Sequence, residues 1–147
     1  MSEKIEVLQK LVADLAVLNV KVHNLHWNVV GENFKPVHEQ LEGVYDTLFE
    51  QYDEVAERIK MLGGFPLASL RSYLEKSSIE EMDSHDISIR QAFEIAKNDL
   101  SSLRETALHA RKLADQEDDP ITVALLEDHV TDLDKHIWLV SQALKNA

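Results

Sequence analysis

Apolar residues recur every three or four positions along most of the chain, which is typical of amphipathic helices, and no segment alternates as a strand does. The first helix is predicted over about residues 3–30, ending before Gly31. The second is predicted over about residues 34–62, where Gly63 and Gly64 stop it. A third long helix is expected from near residue 84 to about residue 113.

The fourth helix has the clearest start signal in the chain. Asp119 can cap it and Pro120 suits its first position, and we expect it to run to about residue 144. The connection over residues 63–83 is too long for a plain loop, and it contains Pro66 and one short helix near residues 70–75. This plan predicts an all-α fold: a ferritin-like four-helix bundle with one long crossover carrying a short helix between helices two and three.

Composition narrows the class of protein. The chain has 147 residues, which suits a single domain over residues 1–147. No apolar run approaches the ~18 residues of a transmembrane helix, and residues 1–6 do not look like a secretory signal. The absence of cysteine excludes disulfides, thiolate metal sites and cysteine nucleophiles. We therefore expect a cytoplasmic protein that does not engage a membrane.

The charge balance is strongly acidic. The chain has 27 acidic and 15 basic residues, for a formal net charge of −12. Such a surface repels a phosphate backbone and attracts cations. Solubility alone is the more common reason for such a charge, so the spacing of individual residues has to decide.

Four groups that can bind a metal lie on one face of the second predicted helix. His38 and Glu42 are four residues apart, and Asp53 and Glu57 repeat that spacing. The step from Glu42 to Asp53 is close to three full helical turns, so both pairs share roughly one face. Either pair alone would be an ordinary solvated helix face, whereas the coherent set indicates a metal site.

The two pairs cannot bind one ion within a chain. They are about 22 Å apart along the helix axis, whereas coordination bonds are about 2 Å long. A second copy of the helix, packed antiparallel across a two-fold axis, would bring the His38 pair of one chain opposite the Asp53 pair of the other and create two identical sites. His26, near the end of the first helix, can reach the same site. Imidazole and carboxylate ligands in this mixture favour iron or manganese over structural zinc.

With these residues the chain resembles the Dps family (DNA-binding proteins from starved cells), the mini-ferritins. The resemblance covers nearly the whole chain and is most specific over residues 21–64. It is carried by His23-Asn24-Leu25-His26-Trp27, by the His38-x-x-x-Glu42 pair, and by Asp53-Glu54-Val55-Ala56-Glu57-Arg58 followed by Gly63-Gly64.

The resemblance implies a ferroxidase centre at a dimer interface, holding at most two iron ions. Trp27 would lie close to it, where family members use a tryptophan or tyrosine to take up stray oxidising equivalents; an ordinary interface aromatic is an equal alternative. Many members have Asp where Glu42 stands, and the longer side chain moves the carboxylate outward. The metal ligands implied by the resemblance come from one subunit and its partner: His26, His38 and Glu42 from the first, Asp53 and Glu57 from the second.

The resemblance also implies a homo-oligomer, a dodecameric shell built from two-fold dimers. Such shells oxidise Fe(II), preferably with hydrogen peroxide rather than dioxygen, store the ferric mineral and protect against oxidative damage. Members that bind DNA commonly use a lysine-rich tail, whereas the last four residues here offer one lysine, Lys145. With the net charge of −12, direct DNA binding is not expected.

Two other classes of protein remain as alternatives. A conventional ferritin or bacterioferritin would place a di-iron centre inside one bundle using Glu-x-x-His motifs, and the sequence contains none. A DNA-compacting or structural Dps-like assembly with a weak metal site is the other. The absent basic tail argues against DNA compaction, and the intact ligand positions argue against a vestigial site.

Overall fold

Four long helices and one short helix form the fold in the computed structural model, which describes residues 2–145. Helices one and two pack as a hairpin, as do the last two, so the predicted bundle with one long crossover is confirmed. Met1, Asn146 and Ala147, which belong to the predicted domain, lie outside the described residues. In chain order, the elements are α1 (Glu3–Asn28), β1 (Val29–Val30), α2 (Phe34–Met61), α3 (Leu70–Lys76), β2 (Ile87–Ser88), α4 (Ile89–Gln116) and α5 (Pro120–Leu144).

Short polar side chains mark the helix starts. The side chains of Ser2, Ser88 and Asp119 each accept a hydrogen bond from a backbone amide three residues later. These bonds satisfy amides that have no partner inside the helix. The predicted start of the fourth helix, with Asp119 as its cap and Pro120 in its first turn, is therefore confirmed.

The third long helix begins later than predicted. We expected it near residue 84, but α4 begins at Ile89, with Ser88 as its cap. The preceding residues form β2, which pairs in parallel with β1. The same pairing ends α1 at Asn28, before the predicted residue 30. Hydrogen bonds between segments far apart in sequence thus override the local helical pattern at both places.

Helix α1 lies at the centre of the core. Helices α2, α3 and α4 all pack against it, so apolar residues on several of its faces are buried. Among residues 2–145, no helix is both long and apolar enough to cross a membrane.

Three polar side chains of α1, which we call the crossover anchors, hold the crossover in place. Gln9, Asp14 and Asn24 are each at most 9% exposed. Because the crossover has little regular structure, its backbone groups need hydrogen-bond partners from elsewhere. The anchors span about 22 Å of α1, so the crossover runs along most of that helix. In order, they bond to Phe65 and Leu67, to Ser77 and Ser78, and to Met82 and Asp83.

An ion cluster around Asp119 joins three helices at one end of the bundle. One carboxylate oxygen of Asp119 lies 3.0 Å from the Lys4 ammonium of α1, and the other lies 3.2 Å from the Arg58 guanidinium of α2. Burial alone would raise the pKa of Asp119, but hydrogen bonds from Thr122 and Lys4 outweigh burial and hold it well below its usual value. The cluster therefore connects the ends of three helices, and this connection depends on the charge of Asp119.

Candidate functional site

The end of α1 and the start of α2 hold two imidazole rings against each other. The rings of His26 and His38 stack with their centroids 3.6 Å apart. His26 donates from Nδ1 to the carbonyl oxygen of His38 at 2.6 Å, and His38 donates from Nδ1 to the carbonyl oxygen of His26 at 2.7 Å. This reciprocal pair holds the two histidines together where the end of α1 meets the start of α2.

The hydrogen bonds fix which nitrogen of each ring is available. A carbonyl oxygen can only accept, so Nδ1 carries the proton and a neutral ring keeps its lone pair on Nε2. Metal-binding histidines are commonly oriented in this way, by a backbone carbonyl on the other nitrogen. The chemistry of the pair therefore fits a metal ion bound through Nε2.

Gly31, in the link between α1 and α2, makes the close turn possible. Its φ of +147° is a conformation that other residues rarely adopt. A Cβ atom at this position would also lie only 3.0 Å from Cδ1 of Ile89, the first residue of α4. The turn that sets His26 against His38 is thus packed against the second hairpin.

Tyr45 belongs to the same cluster, although no sequence motif marks it. Its ring stacks on His23 at 3.6 Å and meets His26 edge-on at 5.1 Å between centroids. Burial and then the negative charges of Glu42 and Asp46, with a hydrogen bond to Glu42, raise the pKa of the Tyr45 hydroxyl. A half-buried aromatic reads as core in a sequence, and its three-residue spacing from Glu42 was the only available signal.

Asp53 and Glu57 lie on α2 together with His38 and Glu42, as predicted, but far from the imidazoles. Eleven residues of helix place Asp53 about 16 Å beyond Glu42. Both acids are exposed, and neither has an ion pair or hydrogen bond within residues 2–145. Nor does that part of the chain gather three histidine or acidic side chains that could hold a metal ion. That the imidazole end of one chain and the acidic end of a second chain meet at one metal site remains a prediction.

Trp27 is connected to the cluster through another ring. Its side chain is 66% exposed, and its ring contact is with His23, at 5.5 Å between centroids. His23 is itself fixed, because its Nδ1 donates to the carbonyl oxygen of Asn19 at 2.7 Å. Trp27 follows His26 directly in the chain, its ring joins the aromatic cluster through His23, and its predicted redox role stays a prediction.

Comparisons with known sequences and structures all indicate the same protein family. The family model described as a ferritin-like domain matches residues 5–147. The DNA protection during starvation protein of Listeria innocua is 36% identical over 143 residues, covering 97% of this chain and 92% of the relative.

Solved structures agree. The crystal structure of antigen TpF1 from Treponema pallidum superposes with a TM-score of 0.94 at 37% identity, covering 97% of this chain and 91% of TpF1. The Dps protein from Listeria innocua, solved after soaking in zinc, superposes with a TM-score of 0.92 at 36% identity, covering 97% and 96% of the two chains. The predicted ferritin-like fold is confirmed, and the chain belongs to the Dps family of ferritin-like proteins.

Proposed function

We propose that this protein oxidises Fe(II) at sites shared by two subunits and stores the ferric product inside a hollow shell. The observation that supports this most is the reciprocal pair of His26 and His38, which holds two imidazoles side by side with Nδ1 of each ring donating to a backbone carbonyl. Iron is the substrate in this proposal. Crystals of a Dps protein from Listeria innocua have also been soaked with a divalent metal, zinc.

Each proposed site combines the imidazole end of one α2 with the acidic end of a second copy. The exposed and unpaired Asp53 and Glu57 support this arrangement, because carboxylates without an internal partner are free to meet a cation held by another subunit. Glu42 would contribute from the imidazole side, since it lies one helical turn after His38 on α2. The proposed ligands are His26, His38 and Glu42 from one subunit and Asp53 and Glu57 from its partner.

Two ferrous ions held together can complete the reduction of peroxide in one event. Each Fe(II) gives one electron, the O–O bond of hydrogen peroxide breaks, and two protons complete two water molecules. The residues act as a template that holds both ions beside the oxidant. Because both electrons arrive together, hydroxyl radical is not released, which accounts for a protective role against oxidative damage.

Peroxide-driven iron oxidation tests the proposal directly. We expect anaerobic Fe(II) plus hydrogen peroxide to give rapid ferric absorbance with the native protein. Asp53→Ala or Glu57→Ala should slow the fast phase about 10- to 100-fold, as loss of a metal-site group commonly does. The assembled mass should stay unchanged.

The matched control is Glu50→Ala, an exposed carboxylate on the same helix that is not a proposed ligand. It removes the same charge and should leave the rate near that of the native protein. If Asp53→Ala and Glu50→Ala oxidise iron at the same rate as the native chain, the ferroxidase proposal is wrong.

A homo-oligomeric shell is part of the proposal, with twelve subunits as the expected number, and native mass spectrometry would count them. Dioxygen would serve as a slower oxidant than peroxide.

We also propose that the protein is cytoplasmic, as expected from its sequence.

DNA compaction is the alternative function that the name of a relative suggests. The Listeria innocua relative is called a DNA protection during starvation protein. We expect no direct binding here, because the net charge of −12 opposes a phosphate backbone. Plasmid DNA at low salt, without added metal, should migrate unchanged in a gel when the protein is added. Strong retardation under these conditions would favour the DNA-compacting alternative.

A further inference from the structure

Six aromatic rings form a continuous row beside the proposed iron site. Neighbouring centroids in the row are 5.0, 3.6, 5.1, 3.6 and 5.5 Å apart. Stacked and edge-on contacts at these distances are ordinary for packed aromatics, but here they connect two proposed metal ligands to an exposed indole. In order, the rings belong to Phe34, His38, His26, Tyr45, His23 and Trp27.

Tyr45 is the oxidisable ring nearest to the proposed ligands. It meets the edge of His26 at 5.1 Å between centroids, and it lies three residues after Glu42 on the same helix. Trp27 follows His26 directly in the chain, but the ring contact that its indole makes is with His23. Because the Tyr45 ring packs directly against the ring of a proposed ligand, we expect an oxidant formed at the site to react first with Tyr45.

We propose that Tyr45 is the first redox-active side chain beside the iron site, and that the stacked His23 ring connects it to Trp27. This inference rests on the proposed function. Tyr45, rather than Trp27, would then carry out the first step of radical capture, and Trp27 would be the exposed end of the row.

The step arises when a site holds only one ferrous ion. That ion gives one electron to hydrogen peroxide, yielding Fe(III), hydroxide and a hydroxyl radical. The O–H bond of Tyr45 then breaks and a new O–H bond forms on the hydroxyl radical, so the products are water and a neutral tyrosyl radical. An electron from the Trp27 indole can pass through His23 to the tyrosyl oxygen. Tyr45 takes a proton from water, and the indole nitrogen releases one.

The experiment uses the assembled protein, loaded anaerobically with one Fe(II) per proposed site, mixed with hydrogen peroxide and frozen for electron paramagnetic resonance. The native protein should give a tyrosyl signal, and peptide mass spectrometry should then find oxidised Trp27. Tyr45→Phe keeps the ring contacts and removes the hydroxyl. It should lose the tyrosyl signal, lower oxidation at Trp27 and release more hydroxyl radical to a spin trap.

Tyr52→Phe is the matched control. Tyr52 is also half-buried on α2, but its hydroxyl bonds to Tyr73 at 2.6 Å and its ring lies outside the row. This variant should keep the tyrosyl signal. In Trp27→Phe the tyrosyl signal should last longer, because the next donor is gone.

Ferric absorbance recorded in the same samples, and with two Fe(II) per site, distinguishes failure of the Tyr45 role from failure of the ferroxidase activity. If the native protein oxidises iron rapidly but the tyrosyl signal survives in Tyr45→Phe, or Trp27 is oxidised as much as in the native protein, the role of Tyr45 is refuted and the ferroxidase proposal stands. If the native protein does not accelerate iron oxidation, both are refuted.

Discussion

Mixing two inactive variants of the subunit is expected to restore about one quarter of the native rate of iron oxidation, if each site is shared across a two-fold axis. One variant lacks the imidazole half (His38→Ala with Glu42→Ala), and the other lacks the acidic half (Asp53→Ala with Glu57→Ala). Each alone has a defect in every site. In a mixed dimer, one site carries all four substitutions and the other carries none.

The expected fraction follows from counting. Random pairing makes about half of the dimers mixed, and each mixed dimer has one intact site of two. The measurement is the initial rate of ferric absorbance after co-expression with two different affinity tags, followed by tandem purification. Shells in which both tagged copies carry the same variant, prepared in the same way, serve as the control. If the mixed shells are as inactive as either parent, the ligands are not shared in the way that we propose.

Asp119→Ala is expected to destabilise the protein by about 2–4 kcal/mol at pH 7, because it removes a helix cap and breaks a partly buried ion cluster, which costs less than a fully buried pair. The substitution leaves Lys4 and Arg58 without their shared carboxylate and removes the cap of α5. Asp119→Asn should cost less, because an amide can still cap the helix. Chemical denaturation at a fixed protomer concentration measures the change. Asp115→Asn, an exposed position one turn earlier, is the control.

The difference between the native chain and Asp119→Asn should depend on pH. The folded-state pKa of Asp119 lies below its unfolded value, so its charge contributes stability in full above the unfolded pKa. That contribution is lost as the pH falls through the ordinary range of a carboxyl towards the lower folded-state pKa. A difference that stays constant from neutral to strongly acidic pH would show that the ion pairs of Asp119 contribute little.

Local patterns in the sequence predicted the helices well because their causes are local. Apolar periodicity, the glycine pair after the second helix and the Asp119 cap all act within a few residues of the feature that they define. The start of α4 was predicted too early because β2 pairs with β1, which lies far away in the sequence. No local signal near residue 84 records that pairing.

The candidate site also has some features that local sequence patterns predict and others that depend on tertiary contacts. Placing His38, Glu42, Asp53 and Glu57 on one helix required only helical spacing, and the continuous α2 confirms it. The carbonyl partners of His26 and His38 depend on a turn packed against α4, which spacing cannot reveal. Tyr45 was missed for a related reason, since its contacts with His23 and His26 cross from one helix to another.

The crossover anchors also indicate where the chain can change length. Met82 and Asp83 are the last backbone partners of the anchors, and β2 begins at Ile87. The three residues between them, at positions 84–86, are exposed. Lengthening an exposed loop costs little conformational entropy, so a short flexible peptide inserted there would project into solvent while both flanking segments keep their register. The same stretch is a natural point for a genetically encoded label.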